Sequence, residues 1–163
     1  MNILIFGGAG FVGRHYTEHF LRNGEFVYIV DNIAPLSGGT YPKKWKIFNP
    51  YKFKKKFKFL NQDCRKFFKN KLKKKYNLVI NLAAIVGGRE VIENNPLAVA
   101  EDLEIDTAFW RWVVKNKKNI GHVITYSSSA AYPVYLQKKR NYRLLKESDI
   151  DFSKNELGKP DLS

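Results

Sequence analysis

The stretch ILIFGGAGFVGRHYTEHF, residues 3–20, runs from four consecutive apolar residues through closely spaced glycines into a helix-like pattern. An apolar run bounded by glycine is typical of a parallel strand that is covered on both faces. In such a strand–turn–helix unit, Gly7 permits the tight turn, Gly10 lets a diphosphate approach the backbone, and Gly13 lets the helix pack closely. The N–H groups and dipole of the helix N-terminus favour phosphate. The stretch therefore predicts a dinucleotide-binding turn.

Strand patterns and helix patterns alternate along the rest of the chain. Strands are predicted at residues 25–32, 57–63, 77–84 and 122–129, and helices after the glycines and at residues 65–75 and 95–118. Residues 33–56 contain three prolines and two glycines, which predicts a loop. This alternation predicts a single α/β domain over residues 1–163, a Rossmann-like doubly wound parallel sheet with helices on both faces.

Apolar residues recur at helical spacing in two of the predicted helices. They are Val12, Tyr16 and Phe20 in the first helix, and Leu103, Trp110 and Val114 in the long helix. Such spacing is typical of a helix face that packs on a sheet.

Composition limits the class of protein. The hydrophobic share of 44% over 163 residues suits one globular domain, and no stretch approaches the roughly 18 unbroken apolar residues of a membrane helix. The first strand starts at once, without room for a signal peptide, and the single cysteine cannot form an internal disulfide. We therefore expect a cytoplasmic protein with no membrane partner.

The formal charge of +14 raises the question of an anionic partner. Lysines are concentrated between Lys43 and Lys75, which leaves open a nucleic-acid or membrane-surface binder built on that segment. Charge runs are more often solvated faces, and Lys, Asn, Ile, Phe and Tyr are plentiful together, as in a general compositional bias. Nucleic acid is therefore not the expected partner.

Five short motifs occur in a fixed order. They are GGAGFVG at 7–13, VDN at 30–32, NQDCR at 61–65, NLAA at 81–84 and YSSSAAYP at 126–133. In this order and at these separations they resemble the extended short-chain dehydrogenase/reductase family, the NAD-dependent epimerases and dehydratases of nucleotide sugars. The resemblance implies NAD as cofactor, a nucleotide sugar as substrate and transient hydride transfer between them. A homo-oligomer is compatible with it.

The same resemblance implies which residues hold NAD. The diphosphate would be contacted by Gly7, Gly10, Phe11 and Val12, and the adenosine ribose by Asp31 and Asn32. The adenine would lie between Asp63 and Cys64, and the rest of the cofactor would be contacted by Leu82, Ala83, Ala84 and Ser127. Asp31 also ends the second predicted strand, where a carboxylate can accept hydrogen bonds from a ribose. Its charge would repel a 2′-phosphate, so NAD is expected over NADP.

Two positions depart from the family pattern. Phe6 stands where Thr usually precedes the glycine motif, so one polar contact within the turn is lost. In the long helix the family usually has an Asn shortly before a Gly-Thr pair, whereas this chain has Leu103 and then Asp106-Thr107. The contacts made by that Asn are therefore in question.

The catalytic residues are only partly found. Ser129 matches the catalytic Ser/Thr of the family, whose hydroxyl would bond the sugar oxygen that is oxidised; a serine cluster is also common turn chemistry. Family catalysis also needs a Tyr-x-x-x-Lys pair as proton acceptor. Tyr142 and Lys146 match it but lie in a segment that resembles the loop before the catalytic helix. We expect the chain to stop before the true pair and before the substrate-binding region.

Two further patterns have structural explanations. His15 and His19 fit an H-x-x-E-H zinc pattern. Because the helix that contains them is expected to pack behind the glycine turn, no metal is expected there. Cys64 could be a reactive thiol, although a lone cysteine is more often a small packed hydrophobe.

The sequence thus predicts the NAD-binding portion of a nucleotide-sugar epimerase or dehydratase, inactive by itself. The alternative is a non-enzymatic dinucleotide-binding sensor or regulatory module.

Overall fold

A computed structural model of the chain describes residues 1–46, 48–85, 94–126, 132, 136 and 144–150. The chain divides into two compact units, Met1–Thr125 and Tyr126–Ser163. The described part of the second unit includes a 3₁₀ turn at Glu147–Asp149. The first unit contains the sheet.

Five parallel strands form the sheet of the first unit. They are β1 (Asn2–Phe6), β2 (Phe26–Asp31), β3 (Phe57–Asn61), β4 (Tyr76–Asn81) and β5 (Ile120–Thr125), in the order β3-β2-β1-β4-β5. Ile3 of β1 lies opposite Val27 on one side and Leu78 on the other. The strand order reverses between β1 and β4, and such a switch point opens a crevice at the carboxyl ends of the strands. The predicted Rossmann-like parallel sheet is confirmed.

In the part of the chain that the structure describes, three α-helices accompany these strands: α1 (Phe11–Arg22), α2 (Cys64–Phe68) and α3 (Pro96–Lys115). The prediction of a helix at 65–75 was too long, because α2 ends after five residues. The chain beyond it is held by the end of α3 instead. The Leu72 N–H donates to the Asn116 side chain at 2.8 Å, and the Trp112 indole N–H donates to the Asn70 carbonyl at 3.0 Å.

Each face of the sheet carries its own core. On one face α1 packs together with the segment between β2 and β3, which contains 3₁₀ turns at Pro35–Ser37, Pro42–Lys44 and, with a kink, Pro50–Lys56, and contributes the buried Trp45 and Phe48. On the other face lie α2 and α3. The segment predicted as a loop is therefore irregular but takes the place of a covering helix.

Phe6 is the centre of the core on the α2–α3 face. Its ring makes edge contacts with Phe68 at 4.7 Å, Trp112 at 5.5 Å and Phe109 at 6.1 Å between centroids. The position at which the family usually has Thr thus anchors an aromatic cluster. Aromatic edge contacts of this kind stabilise a core beyond the area they bury.

The predicted face of α1 is confirmed only in part, because Tyr16 and Phe20 pack against the core whereas Val12 is exposed. Val12 is 42% exposed and Tyr16 and Phe20 are only partly buried, whereas Gly13, Thr17 and Leu21 are the buried residues of α1.

In α3 the residues singled out from the sequence lie on the exposed side, since Leu103, Trp110 and Val114 are 64%, 48% and 68% exposed. The buried residues of α3 are Ala98, Ile105, Phe109 and Trp112. Because α3 is apolar on both sides, helical spacing alone could not select the face that packs. No helix in the described ranges is both long and apolar enough to cross a membrane.

Candidate cofactor site

The turn between β1 and α1 is built around two glycines that accept no side chain. Gly7 has φ of 72°, and a Cβ added there would lie 2.6 Å from the Leu82 carbonyl carbon. A Cβ on Gly13 would lie 2.5 Å from the Gly7 carbonyl oxygen. Both distances are far below contact distance, so Gly7 lets the turn pack against the chain that follows β4, and Gly13 lets α1 pack against the turn itself.

Gly10 is in a different situation. It is the N-cap of α1, and an added Cβ would meet only the Gly7 carbonyl oxygen, at 3.3 Å. Gly10 also lines the crevice above the sheet. Helix geometry leaves the first-turn N–H groups of Phe11, Val12 and Gly13 without partners inside the helix. A bare backbone with free donors at this place suits a phosphate.

Asp31 ties the end of β2 to this turn. The residue is 7% exposed, and its carboxylate accepts hydrogen bonds from the Ala9 N–H at 2.9 Å and from the Ile33 N–H at 2.8 Å. Asn32 is exposed and its side chain accepts from the Ala34 N–H at 3.1 Å. The carboxylate therefore lies at the crevice with a fixed orientation.

At the end of β3, Asp63 and Arg65 form a tight pair. The Asp63 side chain caps α2 by accepting from the Arg65 N–H at 2.8 Å, and the guanidinium of Arg65 donates to the same carboxylate at 2.7 Å. The hydrogen bond from the Arg65 side chain lowers the pKa of Asp63. Arg65 also bonds Glu104 of α3 at 2.6 Å, so it links this strand end to α3.

The segment after β4 is held by a residue that sequence reasoning missed. The Leu82 N–H donates to the Phe6 carbonyl at 2.9 Å and continues the sheet pattern. The Ile85 N–H then donates to the Asp102 carboxylate of α3 at 2.6 Å. Only the packing of α3 over the strand ends brings Asp102 there, and no local motif marks it.

One pocket of about 390 Å³ extends over these strand ends. Of the residues predicted to hold the cofactor, nine line it: Gly7, Gly10, Asp31, Asn32, Asp63, Cys64, Leu82, Ala83 and Ala84. Phe11 and Val12 do not line it, and both side chains are largely exposed, so any contact with a diphosphate would come from their backbone N–H groups. The pocket also contains residues that were not predicted, among them Arg65, Ile85, Glu101 and Ile105.

The remaining predicted site residues lie in the second unit of the chain. Ser127, Ser129 and Tyr142 lie outside the described residues. Lys146 belongs to the second unit, where it is exposed and its backbone N–H donates to the Asp149 carboxylate at 2.8 Å. The cofactor contact suggested for Ser127 and the catalytic roles suggested for Ser129, Tyr142 and Lys146 therefore remain predictions.

Cys64 is buried, and burial raises the pKa of its thiol to about 12. Such a thiol is almost entirely protonated and chemically inert at neutral pH. Within the described ranges, no group of three or more His, Cys, Asp or Glu side chains is placed to hold a metal ion. His15 packs against the Phe11 ring, and His19 contacts the Asn23 side chain.

Several solved structures share this fold. UDP-N-acetylglucosamine 4-epimerase from Methanobrevibacter ruminantium, in complex with UDP-N-acetylmuramic acid, is 25% identical with a TM-score of 0.66, over 91% of this chain and 43% of that one. UDP-glucose-4-epimerase from Stenotrophomonas maltophila, with bound NAD, is 18% identical with a TM-score of 0.65, over 82% and 38%. A dTDP-glucose 4,6-dehydratase from Streptomyces venezuelae, also with NAD, is 18% identical with a TM-score of 0.65, over 82% of this chain and 41% of that one.

The chain thus spans about two fifths of the length of these structures. No curated protein gives a significant sequence match. The model of the NAD dependent epimerase/dehydratase family matches residues 3–150, a range that includes the glycine turn and all the residues that line the pocket. The chain therefore belongs to the NAD dependent epimerase/dehydratase family, whose cofactor agrees with the one predicted from the sequence.

Proposed function

We propose that this chain is the NAD-binding portion of a nucleotide-sugar epimerase or dehydratase. The observation that carries the proposal is the pocket over the strand ends, because residues from the carboxyl ends of β1, β2, β3 and β4 all line it. A volume of about 390 Å³ suits the adenosine and diphosphate half of a dinucleotide. When bound, NAD would supply a hydride acceptor for a sugar alcohol.

Each part of the pocket has a task in this proposal. The first-turn N–H groups of α1 and the bare backbone at Gly10 hold the diphosphate. Asp31 accepts hydrogen bonds from the adenosine ribose and, through its charge, disfavours a 2′-phosphate. Asp63 and Cys64 flank the adenine, while the segment Leu82–Ala84 bounds the cofactor on the β4 side.

In this proposal, the catalytic base that turnover requires lies outside the described pocket residues. Removing hydride from an alcohol also needs a base, a contribution of roughly 10²- to 10⁴-fold, and none of the described pocket residues is the Tyr-x-x-x-Lys pair of the family. Because the chain spans only about two fifths of the structures it resembles, we propose that these 163 residues alone do not convert a nucleotide sugar.

The test is a binding measurement followed by an activity assay. Calorimetry with NAD and NADP should give binding of NAD with a preference over NADP. Incubation with NAD and a panel of UDP- and dTDP-hexoses should then give neither a new sugar nor reduced cofactor. Turnover that disappears in Tyr142→Phe would contradict the assignment and identify Tyr142 and Lys146 as the catalytic pair. Absence of NAD binding in a folded chain would refute the proposed function itself.

NAD binding without turnover is also what a non-enzymatic sensor or regulatory module would show. Fusing the chain to the C-terminal part of a related epimerase distinguishes the two, because only an enzyme portion can regain turnover. A chain that binds NAD and stays inactive in every such fusion would favour the regulatory module.

A further inference from the structure

Arg14 is placed where it can reach a ligand at the glycine turn. Its backbone N–H donates to the Gly10 carbonyl at 3.1 Å, one helical turn back. Helical side chains lean toward the N-terminus of their helix, which directs a long side chain at Arg14 toward Gly10 and Phe11. Arg14 itself does not line the pocket that the proposed function assigns to NAD, but Gly10, its neighbour across this turn, does.

The guanidinium is held at this end of α1. Its carbon lies 5.8 Å from the centroid of the Phe11 ring, and Phe11 is the first residue of the helix. The Phe11 ring is itself 68% exposed and covers no core. A cation–π contact of this kind fixes the direction of an arginine without neutralising its charge.

Within the described ranges, no carboxylate forms an ion pair with the guanidinium of Arg14, whereas Arg22 at the other end of α1 pairs with Glu18 at 2.8 Å. The first turn of α1 also contains no acidic residue. A cation near a helix N-terminus is unfavourable because it meets the positive end of the helix dipole. An anion bound at the turn would relieve this repulsion.

We propose that Arg14 makes a charged contact with the diphosphate of the bound dinucleotide, in addition to the backbone N–H groups of the first turn. The inference rests on the proposed function, since it concerns the same ligand. It identifies a side chain that determines affinity at a turn where the sequence pattern suggested backbone contacts alone. It also makes part of the NAD affinity dependent on salt, because a guanidinium–phosphate contact is screened by ions.

The experiment compares Arg14→Gln with Arg22→Gln, which removes the same charge from the same helix on a residue outside the pocket. NAD affinity should fall roughly 5- to 20-fold in Arg14→Gln, the range of a partly exposed charged hydrogen bond, and stay within about twofold in Arg22→Gln. Arg14→Lys should retain most of the affinity, because it keeps the charge. The decline of NAD affinity between low and high salt should be smaller in Arg14→Gln than in the unmodified chain.

Two readouts separate a ligand contact from a structural role. Adenosine has no phosphate, so its binding, followed by ligand-observed NMR, should be equal in the unmodified chain and in Arg14→Gln. The melting temperature without ligand should be unchanged or raised, because relief of the dipole repulsion offsets the lost contact with Phe11. NAD affinity unchanged in Arg14→Gln, or an equal loss for adenosine, would overturn the inference. An unmodified chain that fails to bind NAD would instead refute the proposed function.

Discussion

The carboxylate of Asp31 accepts a hydrogen bond of 2.9 Å from the backbone N–H of Ala9, which lies 22 residues earlier in the chain. This bond joins the end of β2 to the glycine turn that follows β1, and it is buried. The residue expected to select the cofactor therefore also fixes the loop that is proposed to hold the diphosphate. Substitutions at Asp31 should therefore affect cofactor selection and the stability of the loop differently. A substitution that removes only the charge should change selection, and one that removes the acceptor oxygens should also change stability.

Asp31→Asn should narrow the preference for NAD over NADP by about tenfold, because it removes the charge that repels a 2′-phosphate but keeps one acceptor oxygen. Asp31→Ala should also destabilise the fold by about 1–3 kcal/mol, since the Ala9 N–H then loses its partner in a buried place. Calorimetry with both dinucleotides and urea unfolding measure the two effects. Tighter binding of NADP than of NAD by the unmodified chain would show that the role given to Asp31 is wrong.

Gly10 and Gly13 form a matched pair for separating binding from folding. An added Cβ at Gly10 meets one carbonyl oxygen at 3.3 Å, whereas at Gly13 it lies 2.5 Å from backbone. Gly10→Ala should cost less than about 1 kcal/mol of stability yet weaken NAD binding at least tenfold, because the methyl group occupies the approach of the diphosphate. Gly13→Ala should cost about 3 kcal/mol through overpacking. Thermal unfolding and calorimetry decide, and equal stability losses would argue against this separation.

The pair of Asp63 and Arg65 predicts a pH dependence of stability. The pKa of Asp63 is lowered in the folded chain, chiefly by the Arg65 side chain, so the pair contributes stability above the ordinary carboxyl pKa of about 3.9 and loses it as pH falls through the lowered value. Their side chains are 23% and 30% exposed. Solvent screening therefore limits the effect to about 1 kcal/mol.

Arg65→Gln should thus be less stable than the unmodified chain between about pH 5 and pH 8, with the difference shrinking below about pH 4. Urea unfolding across this range gives the comparison. Lys69→Gln, an exposed charge beyond the end of α2, serves as the control and should show no such trend. A difference that persists unchanged at the acid end would mean that Arg65 acts through packing and not through Asp63.

Cys64 should behave as an inert thiol in the folded chain. With a pKa near 12, only about 10⁻⁴ of the thiol is ionised at pH 8. Ellman's reagent should therefore react at least 100-fold more slowly with the native chain than with the chain in guanidinium. Because Cys64 also lines the pocket, NAD should slow the native reaction further. Fast labelling of the native chain would show that Cys64 is not buried as described.

Several features of the site followed from local sequence. Three glycines after an apolar run predicted the turn between β1 and α1, because only a residue without Cβ allows the positive φ of Gly7 and the close approach at Gly13. Consecutive apolar residues predicted the parallel strands, and β1, β2 and β4 are largely buried as expected, whereas β3 and β5 are more exposed. Asp31 was recognised because it ends a strand, and the carboxyl ends of parallel strands meet along one edge of the sheet.

Only the tertiary structure shows which side of α3 faces the core, because the spacing of apolar residues along the helix does not. Since α3 has apolar residues on both sides, its helical spacing could not show that Phe109 and Trp112 face the core while Leu103 and Trp110 are exposed. Likewise, the sequence showed at Phe6 only the loss of a polar contact, whereas in the structure four aromatic residues of α2 and α3 pack against its ring.

Contacts across long separations were also beyond the sequence. Asp102 holds Ile85 from 17 residues away, and Arg65 reaches Glu104 across 39 residues. The local sequence around each of these charged residues is equally compatible with a side chain that is simply exposed to solvent. Their roles exist because α3 crosses the ends of β3 and β4, and that crossing results from the packing of the whole aromatic core on this face of the sheet. Local sequence thus determined the glycine turn, the parallel strands and Asp31, whereas the packing of α3 determined how the other side of the pocket is held.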